Sequence, residues 1–192
     1  LTLAVLFVVA SLQNLSAAVR SWELDTAHSN FYFTVDHIFS QIRGHFNEYS
    51  GEIVFDPADL AGSRFFFEIK TASVDTNIPK RDKHLQSADF FDAAKHPTMT
   101  FVSQQITDLG DNHYEVAGKF TVKGVEYDLL LPLTLVGVKD HPTAKGKKVA
   151  GFNGTVTIDR LAHQVGTGKF YEMGVVGKDV EILVSLEVLS GD

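Results

Sequence analysis

A chain of 192 residues is long enough for one domain with a substantial core, and no linker-like stretch divides it. Its formal net charge of −7 excludes nucleic acid or an anionic membrane surface as the main partner, since neither attracts an acidic protein. With no cysteine, disulfides, thiolate metal sites and a thiol nucleophile are all excluded.

Residues 1–20 read as a signal peptide. Leu1 to Ala10 is an uncharged apolar run, and Ser16-Ala17-Ala18 offers small residues for cleavage, so the mature chain is expected in the periplasm or outside the cell. Gln13 and Asn14 interrupt the run too early for a membrane-spanning helix. Asn30 to Phe39 then alternates as one strand, with Phe31, Phe33, Val35, His37 and Phe39 on its buried face. Gly44 to Asp56 is a second, and the parity break between Phe46 and Tyr49 predicts a bulge. Arg64 to Ile69 places Phe65, Phe67 and Ile69 on one side.

From Thr71 to Phe101 alternation gives way to polar punctuation. Asn77-Ile78-Pro79 breaks the strand, Lys80 to Leu85 forms a helical turn, Ser87 caps a second one with Asp89 near its positive end, and Pro97 ends it. Thr98 to Ile106 and His113 to Val122 flank a hairpin at Asp108 to Asn112. Lys123-Gly124 turns into Val125 to Val138, where Pro132 requires an edge or a bulge. Ala150 to Ile158 and Val180 to Val188 complete about eight strands. An antiparallel sheet of that size with one apolar face closes most readily as a barrel, with the helical excursion as a lid.

The order Ser73-Val74-Asp75-Thr76, Arg81-Asp82-x-x-Leu85, Ser87-x-x-Phe90-Phe91-Asp92 and Pro97-Thr98-x-x-Phe101 resembles the recurrent pattern of the YceI-like family. The resemblance continues through Trp22-Glu23-Leu24-Asp25 with His28-Ser29, Arg43-Gly44-x-Phe46, Phe55-Asp56-Pro57, Gly118-x-Phe120-Thr121-x-Lys123-Gly124 and Ile158-Asp159-Arg160, covering residues 21–192 as one domain. It implies a lipocalin-like β-barrel holding a long apolar isoprenoid. The pattern departs after Arg160, where Leu-Ala-His-Gln-Val-Gly replaces an acidic or small residue, an aromatic and glycine.

On the residues alone, inward rings either meet as a packed core or, with Gly51, Gly118 and Gly154 interspersed, line a tunnel. The resemblance favours the tunnel, with Phe31, Phe33, Val35, His37, Phe46, Phe65, Phe67, Phe90, Phe91, Phe101, Phe120, Phe152 and Phe170 as its wall. Arg81, His84 and Arg160 are the head-group candidates, although a charge run in a loop is commonly just solvated. The expected cargo is a polyprenyl chain or isoprenoid quinone, held as ligand with no cofactor and no metal; a fatty acid or fatty amide is the alternative, and a homodimer is compatible with either. Catalysis ranks third, because His84, His96, Asp82, Asp89 and Asp92 match no metal or nucleophile spacing.

Overall fold

The computed structural model describes residues 20–190. The signal-peptide expectation therefore lies almost wholly outside the described residues. Eleven strands build eight staves of a closed antiparallel barrel. β1 (Ser21–Leu24) and β2 (Asn30–His37) both run along β11 (Val176–Ser190), Leu24 opposite Val188 and Asn30 opposite Ser185, so together they make one stave broken by the turn at 25–29. β3 (Ser40–Phe46) pairs with β2 and β4 (Tyr49–Val54) with β1; the interruption at Asn47 and Glu48 falls at the expected break in parity. β5 (Arg64–Lys70) pairs with β4, and β6 (Val74–Asp75) with β3. β7 (Thr98–Gly110), β8 (His113–Val122), β9 (Val125–Asp140) and β10 (Lys148–Asp159) follow as unbroken neighbours, and β11 closes the ring on β1.

The ring is complete at one end only. The β9–β10 ladder stops at Asn153 opposite Thr134, two residues short of Pro132, which has no N–H to continue it. Proline thus stands at an edge made by the parting of two strands. Gly154 sits at the point of departure, where a Cβ would lie 2.0 Å from the Pro132 carbonyl oxygen. Beyond β6 the chain leaves the sheet, forms α1 (Pro79–Gln86), and returns at β7. One margin of Ser40–Gly44 therefore has no strand beside it.

Several expectations are corrected. The first strand ends at His37, and Ile38-Phe39 is a two-residue turn with His37 opposite Ser40, so Phe39 is fully exposed rather than buried. The lid has one helix. Ser87 closes it, its hydroxyl donating to the His84 carbonyl at 2.7 Å, and residues 88–95 form turns where a second helix was expected. Asp89 accordingly pairs with His84 at 3.0 Å instead of capping a helix start. A short α2 (Lys169–Glu172), unmarked by any apolar period, precedes β11.

Candidate ligand cavity

Where the ring is complete, side chains fill it. Phe55 meets Tyr114 and Phe152 edge to face with ring centres 5.1 Å apart, and Phe65 meets Phe152 at 5.4 Å. Trp22 closes that end, its indole N–H donating to the Phe55 carbonyl at 3.1 Å. Phe65 and Phe152, expected on the tunnel wall, belong to this plug, both almost wholly buried.

Where the staves part, the interior is hollow. A cavity of about 160 Å³ is lined by nine of the expected residues: Phe31, Phe33, Val35, Phe46, Phe67, Phe90, Phe91, Phe101 and Phe120. Its far wall is aliphatic, with Leu129, Leu131, Val156, Ile182 and Val184 from β9, β10 and β11. Alternation within β10 and β11 puts Val156, Ile182 and Val184 on one face, whereas Leu129 and Leu131 lie in the unbroken apolar run Leu129-Leu130-Leu131, where parity does not separate the faces. The glycines do not line the void. A Cβ on Gly44, Gly51 or Gly118 would lie within 3 Å of the rings of Phe33, Phe67 or Phe101, so each glycine makes room for a ring lying over its strand.

Two segments roof the hollow. Leu85, Phe90 and Phe91 come from the lid, and Phe91 packs on Phe46 at 5.8 Å. Val165 and Arg160 come from the loop after β10, whose His163 ring lies 4.4 Å from Tyr127 and whose Gln164 donates to the Tyr127 hydroxyl at 3.2 Å. That loop covers the gap left by the parting of β9 and β10. Among the described residues lining the cavity Arg160 alone is charged, and it is only 5% exposed. Its Nε donates to the Gly177 carbonyl at 2.7 Å, Nη1 to Val165 at 2.9 Å and Nη2 to Val176 at 3.3 Å, which ties the loop to the start of β11. Burial pushes its pKa below the ordinary arginine value, opposed by the neighbouring Asp159 carboxylate.

A second hollow of about 410 Å³ continues outward as a mouth, sharing Phe33, Val35, Leu85, Phe90 and Val176 with the first. His37, Arg81, His84 and Phe170 are placed here, together with Arg43. The His84 ring stands edge-on to Phe90 at 5.1 Å and to Phe170 at 5.8 Å, bridging the lid to α2.

A model of the YceI-like domain matches residues 22–188. The chain belongs to the YceI-like family. A UPF0312 protein of Vibrio cholerae serotype O1 is 37% identical over 147 residues, covering 75% of this chain and 77% of its own. The crystal structure of BcnA from Burkholderia cenocepacia superposes with a TM-score of 0.76 at 28% identity, covering 88% of this chain and all of that one. A polyisoprenoid binding domain from Saccharophagus degradans, implicated in plant cell wall breakdown, shares the fold with a TM-score of 0.66 at 16% identity over 90% of this chain and 99% of that one.

In this YceI-like protein the motif residues of the lid are largely structural. Asp82 Oδ1 accepts the Thr76 backbone N–H at 2.8 Å and the Thr76 hydroxyl as well. Arg81 returns two bonds of 2.7 Å, from Nε to the Thr76 hydroxyl oxygen and from Nη2 to the Thr76 carbonyl. Thr76, Arg81 and Asp82 thus clasp the first turn of α1, which lacks a side-chain N-cap and starts on Pro79. At the other end of the excursion Thr71 donates through its hydroxyl to the His96 carbonyl at 2.7 Å and through its N–H to Pro97 at 3.0 Å. The lid is pinned at both feet while its apolar underside faces the void.

Proposed function

We propose that this protein is a binding protein that sequesters or carries a polyisoprenoid lipid, a polyprenyl chain or isoprenoid quinone, outside the cytoplasm. The observation that carries the reading is the wall. A ring-and-aliphatic lining with a single charge, whose donors already serve backbone carbonyls, offers a ligand desolvation and shape but little polar chemistry. Burying a few hundred Å² of apolar chain at about 25 cal/mol per Å² contributes several kcal/mol before the costs of association. The polyisoprenoid binding domain that shares this fold supports the same class of cargo.

The volume adds a constraint. An apolar cavity of about 150 Å³ takes a guest of benzene size, so the inner hollow of about 160 Å³ has room for one ring or branched unit. A longer chain therefore continues through the mouth, past Phe170 and His84, and Arg81 or Arg43 meets whatever polar group ends it there. The fatty acid or fatty amide alternative differs in being unbranched and in carrying a defined polar end. Mass spectrometry of an organic extract of the purified protein tests the reading. A prenyl species is expected; an acyl species supports the alternative, and a protein that neither carries nor takes up either class overturns both.

A further inference from the structure

Among the described residues three two-residue turns join neighbouring staves, and one of them is wholly apolar. β7 turns into β8 through Asp111 and Asn112, with φ of 52° and 61°, and β8 into β9 through Lys123 and Gly124, with φ of 51° and 73°. Asn, Asp and Gly tolerate this left-handed backbone best, and the unbranched Lys123 shares its turn with a glycine. β2 turns into β3 through Ile38 and Phe39, and Ile38 stands at φ 52°. A β-branched residue is strained there, and no packing offsets the strain: Ile38 is 58% and Phe39 102% exposed.

The turn is attached to a second apolar feature. The Ile38 N–H donates to the Val175 carbonyl at 3.0 Å, lacing it to the segment after α2; Tyr171 on α2 and Met173 just beyond it are also exposed. This rim borders the mouth, whose wall includes the adjoining His37, Ser40, Phe170 and Val175. Although the chain carries a net charge of −7, the mouth is lined by Arg43, Arg81, His37 and His84, and the carboxylates that touch its lining, Asp89 on His84 at 3.0 Å and Asp36 on Gln41 at 3.3 Å, are each engaged by a mouth side chain.

We propose that Ile38, Phe39, Tyr171 and Met173 form a docking tip for the interface of a phospholipid bilayer. Strain in the turn is retained because it presents two large apolar side chains where Asn-Gly would present none. The acidic body stays away from the surface, and the mouth, whose four basic side chains outnumber the two carboxylates touching them or their neighbours, approaches the phosphate layer first. An apolar cargo then passes between bilayer and hollow without crossing water, so the purpose of the tip, though not its geometry, rests on the carrier reading. Apolar insertion rather than charge drives docking, as the net charge requires.

Flotation of the purified chain with phosphatidylcholine vesicles tests this. The wild type is expected to float, at low and high salt alike. Phe39→Asp and Met173→Asp are expected to lower the floated fraction about tenfold, while Leu109→Asp, the same change at the exposed turn of the opposite end, leaves it unaltered. Circular dichroism melts confirm that each variant is folded. The proposal is overturned if the wild type stays in solution, if it floats only on anionic vesicles and is released by salt, if Phe39→Asp floats as well as wild type, or if sedimentation shows that the tip joins two copies instead. Extracted cargo is measured on the same samples: vesicle docking without any lipid cargo would sink the carrier reading alone, and cargo without docking would sink the tip alone.

Discussion

At one end of the barrel Phe55, Phe65, Tyr114 and Phe152 interlock with ring centres 5.1 to 5.8 Å apart, while at the other Phe33, Phe91 and Phe120 border a void. Both ends are built from strands of the same alternating kind, so residue type does not separate solid from hollow. The backbone does. Around the plug every stave has two hydrogen-bonded neighbours; around the hollow β9 has parted from β10 at Pro132 and Gly154, and the chain after β6 has left the sheet for the lid. Where the staves part, covering segments with their own apolar faces replace the missing ladders.

The largest break in that comparison comes from truncating a ring on each side. Phe152→Ala empties the plug and is expected to cost about 3–5 kcal/mol in urea denaturation, whereas Phe33→Ala, which already faces space, costs about 1–2 kcal/mol and shows itself mainly as lost cargo. Equal losses would mean that the hollow is packed in solution. Enlargement sharpens the contrast from the other direction. Val116→Phe overfills the plug, for about 1–3 kcal/mol, while Val156→Phe grows into the cavity, stays within about 1 kcal/mol of wild type and reduces the lipid recovered by extraction.

Arg160→Met probes the roof rather than either wall. It leaves the Gly177, Val165 and Val176 carbonyls without their donor, for about 1–3 kcal/mol, and hydrogen exchange is expected to quicken across residues 160–177 but not in the plug strands. The smallest effect belongs to the turn between β1 and β2, where His28 Nδ1 and Asp25 Oδ2 lie 2.7 Å apart. Their hydrogen bond raises the pKa of His28 above 6.5 and lowers that of Asp25 below 3.8. The contribution is therefore complete between those two ordinary values, fades as pH rises through the elevated His28 value, and fades as pH falls through the depressed Asp25 value. His28→Asn should melt slightly below wild type inside that window and level with it in alkali; because the pair is exposed, a large difference would contradict the structure.

Much of the architecture was legible from the chain. Alternation identified the staves, Lys123-Gly124 and Asp108 to Asn112 identified two turns, and the lost parity between Phe46 and Tyr49 identified a broken one. The Ile38-Phe39 turn was not legible, because two large apolar residues extend the alternating pattern and carry no turn chemistry. Nor was the end of the lid, where Ser87 fits the opening of a helix as readily as the closing of one. At the site, nine of the residues expected on the wall line the cavity, but Phe65 and Phe152 were not separable from them by alternation. Arg160 was recognised as a polar head-group candidate, with nothing to say that three carbonyls would claim it.

By itself the sequence determined the period-two faces, the one-domain scale and the interior rich in phenylalanine, because alternation and volume are local properties of the chain. Only the tertiary structure decided which rings touch and which face empty space. Parity tells a side chain which surface of the sheet it leaves from; how far away the opposite wall stands depends on where strands hundreds of atoms apart stay paired or part, and here that was settled by a proline without an N–H, a glycine under a carbonyl and a lid pinned at both feet.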